Sequence, residues 1–113
     1  MKIIHKNQTE KRKNGENCLA AEYPMVDKDI NGAVIEINGR HPDNGRAVNL
    51  KCKMLSYVIS GKGKVVVEGE EINLDEGDAI LIEPGEKYFW QGDLKLFISS
   101  TPAWSPEQYK EVE

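Results

Sequence analysis

The stretch Met54-Leu55-Ser56-Tyr57-Val58-Ile59-Ser60-Gly61-Lys62-Gly63-Lys64-Val65-Val66-Val67-Glu68-Gly69 decides the class of fold. Apolar and β-branched side chains alternate or cluster for a few residues and then stop at glycine. That is the rhythm of short strands, whereas a helix would repeat its apolar positions every three to four residues. Downstream, Glu71 to Leu74 lies close enough across Gly69 from Lys64 to Glu68 for a hairpin, and Leu74-Asp75-Glu76-Gly77-Asp78 is a turn with glycine where a positive φ is wanted. Ala79 to Glu83, Lys87 to Gln91 and Leu94 to Ser99 follow as strands, separated by Pro84-Gly85 and Gly92-Asp93. Upstream, Ala33 to Ile37 and Ala47 to Asn49 read the same way, which makes about eight strands. The fold class is all-β. A chain of many short strands hides its edges most economically as a double-sheet jelly roll or small barrel. Ser105-Pro106-Glu107-Gln108 adds a short C-terminal helical turn, with serine as N-cap and proline at the first helical position.

At 113 residues the chain makes one domain, large enough to be held by an ordinary hydrophobic core. Its net charge of -4 argues against a nucleic-acid groove. Residues 1–15 hold Lys2, Lys6, Lys11, Arg12 and Lys13 against Glu10 alone, a local +4 that leaves -8 for the other 98 residues. We therefore divide the chain into a basic N-terminal arm or edge strand, 1–15, and a single barrel domain, 16–113; lysines on an edge discourage strand-to-strand aggregation. Cys18 and Cys52 match neither a disulfide scaffold nor a zinc-knuckle spacing and read as reduced thiols. No apolar run follows the basic start as in a signal peptide, and none is long enough to span a membrane. The expectation is a cytoplasmic protein with neither membrane nor nucleic-acid partner.

Residues 45–92 resemble the cupins. The first motif of that family is two histidines one residue apart, four residues, a glutamate, six residues and a glycine. Here Gly61 takes the last place, Met54 the place of the glutamate, and Ala47 and Asn49 the places of the histidines. The second motif is a glycine, five residues, Pro-x-Gly, two residues and a third histidine. Gly77-Asp78-Ala79-Ile80-Leu81-Ile82-Glu83-Pro84-Gly85 follows it with Glu83 for the first proline, and Tyr88 stands at the histidine. The resemblance implies a double-stranded β-helix.

In the metalloenzymes of that family the four motif positions hold the metal; here Ala47, Asn49, Met54 and Tyr88 offer neither imidazole nor carboxylate, the donors that iron, manganese and zinc require in such sites. No cofactor is expected. His41 and Cys52, with Tyr88 or Asp43, form the weaker alternative of an irregular ligand set. Pro42-Asp43-Asn44-Gly45 follows His41 directly, which reads as a loop with the histidine in solvent. Lys51 and Lys53 flank Cys52 and would favour its thiolate if they faced the same side.

The strand period of two puts Met54, Ser56, Val58 and Ser60 on one face, and Tyr88 with Trp90 on one face. With Asn49 they make an apolar pocket with a few polar groups, so the expected ligand-binding residues are Asn49, Met54, Ser56, Tyr88 and Trp90. The preferred function is a metal-free barrel binding a small sugar-like or carboxylate molecule. The alternative is a metal-independent sugar isomerase or epimerase, by resemblance to cupin epimerases that use a histidine base and a tyrosine acid. Catalysis is the less favoured of the two, because no complete acid–base pair falls at positions the motifs place inside. Tyr57, Ile59 and Phe97 have the opposite parity, an apolar outer face that suits a homodimer.

Overall fold

Nine antiparallel strands account for most of the chain in the structure, a computed structural model that describes residues 1–113. They are β1 (Glu10–Gly15), β2 (Cys18–Tyr23), β3 (Asn31–His41), β4 (Arg46–Asn49), β5 (Lys53–Val67), β6 (Glu70–Asp75), β7 (Ala79–Ile82), β8 (Lys87–Thr101) and β9 (Tyr109–Val112). The centre of the curled sheet is the pair β5 and β8, which are partners from Lys53 opposite Thr101 to Val67 opposite Tyr88. The other edge of β8 takes β3 and then β4; β3 continues outward to β2 and β1, and β4 to β9. The free edge of β5 takes β7 along its first part and β6 along its second.

Each of the two central strands was expected as two, divided at Gly61-Lys62-Gly63 and at Gly92-Asp93. Both run through as continuous fifteen-residue strands. The glycines are bends. Gly61 has φ of 96° and Gly92 of 133°, and Gly63 is the register partner of Gly92. A Cβ on Gly92 would lie 2.5 Å from the Cα of Gly63, so only paired glycines let the backbones come this close. A register shift between Val58 and Ser60 accompanies the bend. It reverses the parity of β5: Met54, Ser56 and Val58 are buried before it and Val65 after it.

The core consists of these inward side chains with Ile37, Leu74, Ile82, Leu94 and Leu96. Glu68 and Gly69, both at positive φ, close the β5–β6 hairpin, a backbone twist that suits the strands they join. The C-terminal turn is a single turn of 3-10 helix, Pro106–Gln108, with proline leading and no capping bond from the Ser105 side chain. β9 follows it at once and was not anticipated. At the other terminus, residues 10–15 form an edge strand paired only with β2, so the division at 15/16 falls inside a hairpin. Cys18 and Cys52 are free thiols, each 1% exposed. No helix is long and apolar enough to cross a membrane.

Candidate functional site

Because every pairing preserves which face a residue shows, the inward positions can be followed across the sheet. Glu22, Ala33, Ile98 and Ser56 are successive partners on β2, β3, β8 and β5, while His41 faces Trp90 and Ala47 faces Tyr88. This inner side lines a partly open cavity of about 340 Å³, with Trp104 and Tyr109 of the C-terminal segment as its roof. Its floor is Met54, Tyr88 and Trp90; its walls are the inner faces of β1, β2 and β3. Tyr88 and Trp90 meet edge to face, with centroids 6.2 Å apart.

Behind the floor runs a polar chain whose direction is forced. The backbone N–H groups of Lys51 and Cys52 donate to Gln108 Oε1 at 3.3 and 3.2 Å. Gln108 Nε2 must then face Asn49, and donates to its Oδ1 at 2.8 Å. The indole Nε1 of Trp104, which can only donate, reaches the same oxygen at 3.1 Å. The Asn49 amide nitrogen is thereby turned inward, donating to the Tyr88 hydroxyl oxygen at 3.0 Å and toward the Met54 sulfur at 3.2 Å. Tyr88 oxygen is thus an acceptor within the protein, while its own proton has only the Met54 sulfur, 3.8 Å away and a weak acceptor. Burial pushes the phenol far above its ordinary pKa, against a lowering by the Asn49 bond, so Tyr88 keeps its proton.

The same chain bears on how these positions would meet a metal. At the four motif positions Ala47 contributes nothing, the Asn49 oxygen is taken by two donors, and its N–H groups point toward Met54 and Tyr88, where a cation would be held. These residues do not fit a metal ion. Nowhere do three His, Cys, Asp or Glu side chains converge, so His41, Asp43 and Cys52 do not build the irregular alternative. The Cys52 thiol lies instead 3.8 Å from the Ala103 carbonyl, and burial raises its pKa, the reverse of activation by Lys51 and Lys53.

His41 requires a correction. Far from standing in a solvent loop, it is the last residue of β3 and lines the cavity beside Tyr88 and Trp90. Its Nδ1 is enclosed and has no hydrogen-bond partner. Desolvation lowers its pKa, opposed by the carboxylates of Glu111 and Asp43, so the imidazole is poised in its neutral form. The Nδ1 atom lies close to Gly15 and the Asp43 carboxylate.

Of the expected pocket residues, Met54, Tyr88 and Trp90 line the cavity, and Asn49 stands directly behind them. Ser56 does not reach it: it is fully buried beneath the floor, its hydroxyl also unpartnered. Sequence reasoning missed Glu10, Arg12 and Glu22, which project from the first hairpin, and Trp104 and Tyr109, which form the roof. The alternation Glu10-Lys11-Arg12-Lys13-Asn14 held no apolar signal, since its inner side faces a cavity rather than a core.

The model of the cupin domain family matches residues 53–92. No curated protein matches the sequence. Among solved structures, Pac13, described as a nucleoside dehydratase, is 18% identical with a TM-score of 0.90 over 100% of this chain and 92% of its own. A histidine-to-glutamine variant of the Streptomyces protein, with uridine, gives 17% and 0.87 over 96% of this chain and 88% of its own. An RmlC-like cupin from Shewanella frigidimarina is 20% identical at a TM-score of 0.74, over 88% of this chain and 89% of its own.

Proposed function

We propose that this chain, whose fold is that of the cupins, holds a small hydroxyl-bearing molecule of the sugar or nucleoside class in its barrel and engages it without a metal. The observation that carries this reading is the meeting of His41, Tyr88 and Trp90 on the lining of one cavity of about 340 Å³. The volume sits at the lower end of the range for small-molecule sites, which suits a monosaccharide or a nucleoside and leaves little room for more. Trp90 and Tyr88 offer apolar ring surface, Tyr88 a hydroxyl donor, and His41 a neutral nitrogen. Pac13 supports the reading by its overall likeness and by its description as a nucleoside dehydratase. Its structures with uridine carry replacements of a histidine and of tyrosines, the residue types that stand in the cavity here.

An enzymatic reading is favoured by one feature. A neutral imidazole lies diagonally beside a protonated phenol, since His41 faces Trp90 and Tyr88 is two residues from Trp90 along β8. This supplies the acid–base pair that the motifs alone did not place. In such a reaction His41 would take a proton from carbon next to a carbonyl, becoming imidazolium, while Tyr88 hydrogen-bonds the oxygen on which negative charge grows.

The test is calorimetric titration of chelator-treated protein with uridine, ribose and a panel of monosaccharides. Binding by the parent, lost in His41→Gln and weakened in Tyr88→Phe while both variants stay folded, supports the reading. Binding that appears only after a transition metal is restored, or binding indifferent to His41→Gln, overturns it.

A further inference from the structure

The charged groups at the open side of the cavity come from the first hairpin. Parity turns Glu10, Arg12 and Asn14 of β1 and Glu22 of β2 inward, and sends Lys11 and Lys13 to the outer surface. Glu10 and Glu22 are direct cross-strand partners. Like charges so placed oppose strand pairing. Arg12 reaches Glu22 at 3.2 Å, and Glu10 has no ion pair at all. Arg12 is the sole cationic side chain that lines the cavity, and it is already engaged. On the roof, Tyr109 donates its hydroxyl proton to the exposed Glu111 carboxylate at 3.0 Å, so the roof too is backed by negative charge. An anion entering here would pass two carboxylates and meet no unpaired cation. An uncharged molecule with neighbouring hydroxyl groups would instead find carboxylate oxygens able to accept from it.

We infer that the β1–β2 hairpin is a charge filter, by which the barrel admits an uncharged polyhydroxylated ligand and rejects its phosphorylated or carboxylated counterpart. The inference rests on the ligand reading above and narrows it, since carboxylic acids leave the class of ligands. It also makes the strand that looks like a basic arm the part of the chain that determines specificity.

The experiment compares matched pairs: uridine with uridine 5′-monophosphate, and ribose with ribose 5-phosphate, titrated into the parent and into Glu10→Gln, Glu22→Gln and the double variant. The parent should bind the uncharged member at least about tenfold more tightly, and the ratio should shrink as salt is raised, because exposed charges are screened. In the double variant, with Arg12 released, the ratio should fall to about one or invert. Glu10→Gln should melt no lower than the parent, because it removes an unfavourable opposition; a purely structural carboxylate would lower the melting temperature when lost. Equal affinity of the parent for both members, or a ratio unchanged in the double variant, overturns the filter while leaving the ligand site intact. Failure of the parent to bind either member of both pairs removes the site and the filter together.

Discussion

Replacing Asn49 with alanine tests the polar chain that holds the floor of the cavity. The side chain is 2% exposed, accepts from Gln108 Nε2 and Trp104 Nε1, and donates to the Tyr88 oxygen. Its loss strands the Gln108 amide, which retains only a 3.3 Å bond to the Ser105 carbonyl, and removes the donor to the oxygen of the buried Tyr88. Each buried orphan costs about 1–3 kcal/mol; the half-buried Trp104 indole, which water can reach, costs less. The expected sum is about 3–5 kcal/mol. With a urea m-value of about 2 kcal/mol/M, the unfolding midpoint should drop by about 2 M at constant m. Tyr88→Phe should cost about 1–2 kcal/mol, since it removes one acceptor and leaves the Asn49 amide facing the Met54 sulfur. The two changes share a bond, so the double variant should be little worse than Asn49→Ala alone. A destabilisation below about 1 kcal/mol for Asn49→Ala, or strict additivity in the cycle, would show that the chain does not hold the floor in this way.

Trp90→Ala should cost about 3–5 kcal/mol in the same assay: although the indole lines the cavity it is only 2% exposed, so most of its surface is packed against protein. Stability should fall as pH drops below the ordinary histidine value of 6.5. His41 resists protonation in the folded state and accepts it freely in the unfolded chain, so its contribution is complete above that value and is lost as pH falls through the lowered folded one. Urea midpoints taken between about pH 5 and pH 8 should show this slope flattened by His41→Gln, and an unchanged slope refutes the assignment. On the outer surface Tyr57 is the register partner of Phe97, and Leu55 of Leu81, all between 39% and 51% exposed. We expect this face to pair two copies, so sedimentation at about 10 μM should give a dimer that Tyr57→Glu converts to monomer; a parent that is already monomeric refutes it.

The sequence was legible wherever a strand is half buried against an apolar core. Met54, Ser56 and Val58 turn inward, as does Trp90 with Tyr88, because the period of two is a local property and the core rewards it. It was opaque where backbone geometry or a cavity replaces the core. A glycine pair reads as a break between strands, yet Gly63 and Gly92 are a bend within them, since the same permissiveness serves both. The site divides along the same line. Tyr88 and Met54 stood out through their motif positions, whereas β3 runs on through Asn38, Gly39 and Arg40, whose polarity hides that they are paired with β8 and deliver His41 to the cavity. The polar edge strand β1 concealed a wall of the site for the same reason.

Gln108 stands far along the chain from the amides of Lys51 and Cys52 that orient it, and β9 pairs with a strand that precedes it by some sixty residues. Such non-local closure is slow to find, since chain entropy must be given up before any of these contacts forms. During synthesis, β4, β5 and the first hairpin therefore emerge without the segment that orients Asn49, and the outer face of β5 is exposed throughout. The floor of the cavity should consequently be among the last parts of the molecule to be ordered. A lesion near residue 108 should be felt first as slow refolding and aggregation of the nascent barrel, before any effect on ligand recognition can be measured.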